Sequence, residues 1–221
     1  MTTQIILASR SPRRLELLGL VVPAARISVV PPRDAAEAGF EGLRDMPAVQ
    51  ARLLDIARKK YNDVAGQLAE KWAGPGGLMP QAIVAADTTI VASSDRGQIH
   101  VLGQPPEDES WKDVVRTWFR VHFAGRTHIA VTALLVGTPG EKPVERIVNT
   151  QVGFIADVEP YLNWYIDTGE PRGKAGGYAI QGAGSIFISH LSGSLSNVIG
   201  MPLEALLDCF RELQIDAAGI N

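Results

Sequence analysis

The stretch Ile5-Ile6-Leu7-Ala8-Ser9-Arg10-Ser11-Pro12-Arg13-Arg14-Leu15-Glu16-Leu17-Leu18 changes character at its middle. An apolar run of strand length stops at small and polar residues, and a helix follows, with Ser11 placed to cap it and Pro12 pre-set for its first position. The turn between them gathers backbone N–H groups, two hydroxyls and the guanidinium groups of Arg10, Arg13 and Arg14 around one helix N-terminus. That is an anion site in outline, because the unpaired N–H groups and the helix dipole favour negative charge and arginine forks match phosphate oxygens. The same residues would also make an ordinary capped helix with solvated arginines. The choice rests on the rest of the chain.

The chain has 221 residues, 46% hydrophobic and 20% charged, with a net charge of −3. That composition describes a globular protein with room for a sizeable core. It carries no basic field for nucleic acid, so an anionic partner must be held by a local cluster. No apolar run reaches the length of a membrane span, and the polar lead Met1-Thr2-Thr3-Gln4 is not a signal peptide. Cys209 is alone, which excludes an internal disulfide and a cysteine-based metal site, and the four histidines lack ligand spacing. The expectation is a cytoplasmic protein with no membrane or nucleic-acid partner. With no repeat, linker or composition break, residues 1–221 read as a single domain.

After the first helix Gly19 is expected to supply the stop, and Ile27-Ser28-Val29-Val30 reads as a strand ended by Pro31-Pro32. Asp34, Glu37 and Glu41 gather acid in a loop, where solvated charge is the ordinary reading. From Asp45, the spacing of Val49, Leu53, Ile56, Ala57, Val64 and Leu68 predicts a long amphipathic helix to about Trp72, ended by Gly74-Pro75-Gly76-Gly77. Lys59 and Lys60 lie beside its apolar stripe, and position alone singles out neither.

Ala82-Ile83-Val84-Ala85-Ala86-Asp87-Thr88-Thr89-Ile90-Val91 is a strand-length apolar run with a carboxylate in its middle. A charge there is costly unless a metal, a cation or a hydrogen-bond network pairs with it, so Asp87 is the acid most in need of a role. Ser94-Asp95-Arg96-Gly97 has hairpin composition, returning through Ile99 to Leu102. Trp111, Val114, Val115, Trp118 and Phe119 predict a second amphipathic helix closed by Gly125, with its aromatics in the core. His128 to Val136 and Val144 to Ile155 suit an antiparallel pair with one wet face. Asp157 to Asp167 reads as a short helix.

Gly169-Glu170-Pro171-Arg172-Gly173-Lys174-Ala175-Gly176-Gly177-Tyr178-Ala179-Ile180-Gln181-Gly182-Ala183-Gly184 is not a P-loop, since its spacing is one residue short and no Ser or Thr follows Lys174. It holds more glycine than a connector needs. Such a backbone can approach a ligand closely, Lys174 adds a cation, and Gln181 offers a donor and an acceptor for a base edge. Ser192-Gly193-Ser194 and Asn197 form a polar turn, and Met201-Pro202-Leu203 begins a closing helix that carries Leu206, Leu207 and Phe210 inward.

Together, Leu7 to Leu18, Ala86-Asp87-Thr88 and Gly173 to Gly182 closely resemble the Maf family of nucleotide pyrophosphatases. The resemblance extends to Gly125, His128, Thr132-Ala133, Gly193-Ser194, Asn197-Val198 and Gly200-Met201-Pro202-Leu203, nearly the whole chain. It implies an α/β fold of the inosine-triphosphatase-like type, a mixed elongated sheet flanked by helices with two lobes around a cleft. It further implies hydrolysis of a nucleoside triphosphate to the monophosphate and pyrophosphate, a divalent cation (Mg²⁺ or Mn²⁺), and a homodimer. Asp87 matches the family's catalytic proton acceptor, and Ser9, Arg13, Arg14 and Lys60 match its phosphate-contacting residues. Arg13, Thr88 and Gln181 look like the dTTP/UTP branch, whereas the branch acting on 7-methyl-GTP usually carries tryptophan in place of Arg13. Lys174 joins the substrate-binding set as a further cation. Asp87 is the expected metal ligand, with Glu37 or alternatively Asp34 as its helper. One departure stands out: the family commonly has lysine where this chain has Gln104. It favours an alternative reading, a nucleotide-sensing or division-regulating protein with weak or lost catalysis.

Overall fold

The computed structural model describes residues 4–34, 39–72, 80–94 and 96–216. In chain order the elements are β1 (Ile5–Leu7), α1 (Pro12–Gly19), β2 (Ile27–Val29), α2 (Met46–Trp72), β3 (Ala82–Ser93), β4 (Ile99–Leu102), α3 (Trp111–Thr117), β5 (Thr127–Gly137), β6 (Val144–Phe154), α4 (Glu159–Asp167), β7 (Ile188–Ser192), α5 (Leu195–Ile199) and α6 (Leu203–Glu212). Seven strands form one mixed sheet in the order β2-β1-β3-β5-β6-β7, with β4 also paired to β3. This is the mixed α/β architecture expected from the sequence. The hairpin residue Asp95 and the expected helix stop at Gly74 to Gly77 lie outside the described residues.

The sheet is organised around β3. One edge of it pairs with β5 from Ile83 to Val91. The other edge is shared: Ala82 to Val84 pair in parallel with β1, and Ile90 to Ser93 pair antiparallel with β4. Between these ladders, beside Ala85 to Thr89, no strand pairs on that side among the described residues. The chain leaving β1 and the chain leaving β4 both turn away at this gap. Open α/β sheets bind ligands at such divergences, where strand ends leave backbone groups unpaired.

Alternation along β3 sends successive side chains to opposite faces. Ile83, Ala85 and Val91 pack under α2 against Val49, Leu53, Ala57, Tyr61, Val64 and Leu68. Asp45 Oδ1 accepts from Ala48 N at 2.8 Å and so caps α2 as an N-terminal side chain should. On the opposite face Val84 and Ala86 join Leu17, Leu18, Leu206 and Phe210 of α1 and α6. Farther along that face Ile90 and Ala92 join an aromatic core of Phe119, Phe123, Phe154, Tyr165 and Phe187. These are separate apolar bodies on one face, and Thr88 stands at the seam between them. Fully burying each such aliphatic or aromatic side chain contributes on the order of 1.5–3 kcal/mol, so the bodies are rigid walls for whatever lies in the seam.

The structure corrects the sequence reading in several places. Gly19 is the last residue of α1, and Leu20 ends the helix in right-handed backbone (φ −75). The strand β5 is buried on both faces rather than wet on one, because α2 covers one side and the two apolar bodies the other. Its unbroken apolar run, Ala133 to Val136, was the available signal. The helix from Trp111 widens into a π-helical turn over Trp118–Phe123, with Ala124 N donating to Phe119 O at 2.8 Å. Within it Phe119 and Phe123 meet edge to face at 5.5 Å. The edge strand β7 covers Ile188–Ser192, a stretch to which the sequence reading assigned no element, and ends where the polar turn from Ser192 begins. No helix among the described residues is long and apolar enough to cross a membrane.

Candidate active site

The turn after β1 is built from its own hydroxyls. Ser9 Oγ accepts from Ser11 N at 3.1 Å, and Ser11 Oγ accepts from Arg14 N at 3.5 Å, so the chain enters α1 with Pro12 in its first turn as expected. The three arginines of this turn diverge. Arg10 donates to the carbonyls of Pro32 (2.7 Å) and Arg33 (3.3 Å), bracing the loop after β2. Arg14 turns inward: Nε donates to Gly200 O at 3.0 Å, Nη1 to Ser9 Oγ at 3.4 Å and Nη2 to Thr88 Oγ1 at 3.4 Å. Arg13 lines the cleft without an ion pair among the described residues. Burial first, and Arg14 second, hold the Arg13 guanidinium below its ordinary value, with Glu16 opposing.

Asp87 lies in the gap of the sheet and is 6% exposed. Lys60 Nζ stands 2.6 Å from its Oδ1, and Arg14 Nη2 stands 3.9 Å from the same oxygen. The paired charge expected from the sequence is therefore present, supplied by α2 and α1. Thr88 Oγ1 is 2.9 Å from Thr132 Oγ1 and 3.2 Å from Gly200 O. One consistent proton arrangement has Thr88 donating to the carbonyl and accepting from Thr132 and Arg14. Gly200 adopts φ +135, backbone that an L side chain rarely takes, which allows its carbonyl to serve both groups.

Across the seam, the glycine-rich segment folds against β3. Gly176 N donates to Gly103 O at 3.0 Å, and a Cβ on Gly176 would lie 2.9 Å from Ile90 Cγ1, so glycine permits the docking. Tyr178 is buried with its hydroxyl 2.8 Å from His128 Nε2. This fixes the middle of the segment to the aromatic core. Lys174 and Gln181 line the cleft. Burial first, then Arg13, hold the Lys174 ammonium below its usual value, with Glu170 opposing. Each of these two cations is thus held below its ordinary value by burial and a neighbouring arginine. An anion beside them would relieve both.

A cavity of about 890 Å³ brings Ser9, Arg13, Arg14, Lys60, Thr88, Lys174 and Gln181 around Asp87. It is large enough for a nucleotide. Asp34 and Gln104 also line it, as does Glu41, which the sequence reading had grouped with the loop charge. Glu37 lies outside the described residues. No group of three His, Cys, Asp or Glu side chains gathers to hold a metal among the described residues. The donors present suit a hard cation that takes one or two carboxylates and completes its shell with phosphate oxygens and water.

Residues 4–213 match the family described as "Maf-like protein". The dTTP/UTP pyrophosphatase of Anaeromyxobacter dehalogenans (strain 2CP-C) is 33% identical over 208 residues, covering 92% of this chain and 90% of that protein. The dTTP/UTP pyrophosphatase of Pyrococcus horikoshii is 34% identical over 204 residues, covering 92% and 94%. Among solved structures, a nucleoside-triphosphatase/dITP/XTP pyrophosphatase from Mycobacterium abscessus covers 95% of this chain and 94% of its own at 15% identity and a TM-score of 0.38. The match runs from the strand that opens the arginine turn to the end of the last helix, through every segment that lines the cleft, and on that ground the chain belongs to the Maf family.

Proposed function

We propose that this chain hydrolyses dTTP- and UTP-type nucleoside triphosphates to the monophosphate and pyrophosphate. The observation that carries the reading is a buried carboxylate, Asp87, in a gap of the sheet inside a nucleotide-sized cleft, with Lys60 at 2.6 Å and Arg13, Arg14 and Lys174 along the walls. A nucleoside triphosphate brings about four negative charges, and phosphoryl transfer depends mainly on positioning and charge stabilisation. Lys60 and Arg14 both approach Oδ1 of Asp87, which leaves Oδ2 to take the proton of the water that attacks the α-phosphorus. Pyrophosphate then leaves against Arg13, Lys174 and the N-terminus of α1, with Ser9 and Arg14 orienting its oxygens. Gln181 and Thr88, which also line the cleft, would meet the base. The reading includes a divalent cation, Mg²⁺ or Mn²⁺, which Asp87 with Asp34 would hold and which would neutralise phosphate charge when bound. Support for the substrate class comes from the names of the relatives above.

The test is pyrophosphate release from dTTP, UTP, CTP and 7-methyl-GTP with Mg²⁺ or Mn²⁺. Release is expected from dTTP and UTP first. Tight binding without release would overturn the enzymatic reading in favour of a nucleotide sensor. Release mainly from 7-methyl-GTP would keep the chemistry and overturn the base assignment.

A further inference from the structure

We propose that Glu170 is the positioning residue that sets where Gln181 stands, and through it the discrimination between bases; the inference rests on the reading of the cleft given above. Glu170 opens the glycine-rich segment, just past the end of α4. Its Oε2 accepts from Ala183 N at 2.8 Å and its Oε1 from Gly184 N at 2.9 Å, so the carboxylate ties the start of the segment to its end. The Tyr165 hydroxyl lies 3.1 Å from Oε1 and 3.1 Å from Gly177 O, bracing the middle of the same segment. The carbonyl of Glu170 accepts from Lys174 Nζ at 2.5 Å. One residue therefore holds both polar side chains that this segment sends to the cleft, Lys174 directly and Gln181 through the backbone next to it.

The close approach is built into the sequence. A Cβ on Gly182 would lie 2.2 Å from Glu170 Oε2, so the carboxylate occupies the space that a side chain beside Gln181 would fill. Each carboxylate oxygen accepts from a backbone N–H, Oε2 from Ala183 and Oε1 from Gly184. A carboxamide would turn an NH₂ toward an N–H at one of them. The backbone that follows Gln181 then loses its tie to Glu170, while Asp87 and the arginine turn sit on other elements.

The test compares kcat/KM for UTP and CTP in the wild type, Glu170→Gln, Gly182→Ala and the double variant. The ratio of the two values on one preparation cancels any inactive fraction, so partial misfolding does not imitate the effect. Each single variant is expected to lower the UTP:CTP ratio by about tenfold or more, the scale of a misplaced polar contact. The double variant is expected to be no worse than either single one, because both changes break the same bond. A wild-type ratio in Glu170→Gln, or in Gly182→Ala if Glu170→Gln does not fold, would overturn the proposal while leaving the enzyme reading intact. A wild-type protein that releases pyrophosphate from neither nucleotide, or equally from both, would remove the base reading itself.

Discussion

Lys60 of α2 and Asp87 of β3, 27 residues apart in the chain, meet at 2.6 Å in the gap of the sheet. The apolar stripe of α2 sets the rotation that brings the lysine there. Asp87→Asn keeps an oxygen for Lys60 and removes the proton acceptor. Turnover on UTP is expected to fall by roughly 10²–10⁴-fold, the range for a lost general base, with an unchanged circular-dichroism spectrum. Near-wild-type turnover would take Asp87 out of the reaction.

Burial, and Arg13 after it, disfavour the charge of Lys174. Lys174→Ala is expected to raise the melting temperature slightly, by relieving that repulsion, and to raise KM for UTP severalfold at low salt. A higher melting temperature together with a higher KM identifies a cation kept for a ligand rather than for the fold. A lower melting temperature with an unchanged KM would assign Lys174 to the fold.

His128 gives the fold a pH dependence. Burial pushes its imidazole from 6.5 down to about 3. The unfolded chain takes this proton near pH 6.5 and the folded protein does not, so stability falls as pH drops from that value toward 3, by up to about 1.4 kcal/mol per pH unit. Urea melts between pH 7 and pH 4.5 measure the slope. A His128→Phe/Tyr178→Phe double variant, which removes both ends of the 2.8 Å hydrogen bond together, is expected to flatten it by one proton.

Gln104 lines the cleft, at the position where the family resemblance implies a lysine. Gln104→Lys adds a cation beside the phosphates and is expected to raise kcat/KM for UTP by about threefold to tenfold at low ionic strength, with the gain lost as salt is added. An unchanged value at low salt would place residue 104 away from the phosphates.

The parts of this site that were legible in the sequence are those with local signals. Ser11 and Pro12 announce a helix start whatever surrounds them, and Asp87 stands out because an apolar strand cannot hold a bare charge. Lys60 was not legible from position, since which lysine beside the stripe reaches the sheet depends on how α2 is rotated against β3; only the family resemblance pointed to it. Glu170 was missed for a related reason. Its partners are backbone N–H groups more than a dozen residues later, which leave no mark in composition. The strand β7 was hidden by its polar residues, which a sheet edge tolerates because its outer side faces water.

The most direct measurement is hydrolysis of UTP in ¹⁸O-water, with mass spectra taken of both products. Attack on the α-phosphorus within the Asp87 cleft predicts one heavy oxygen in the uridine monophosphate and none in the pyrophosphate. Heavy oxygen in the pyrophosphate, or release of single phosphate instead, would contradict the account.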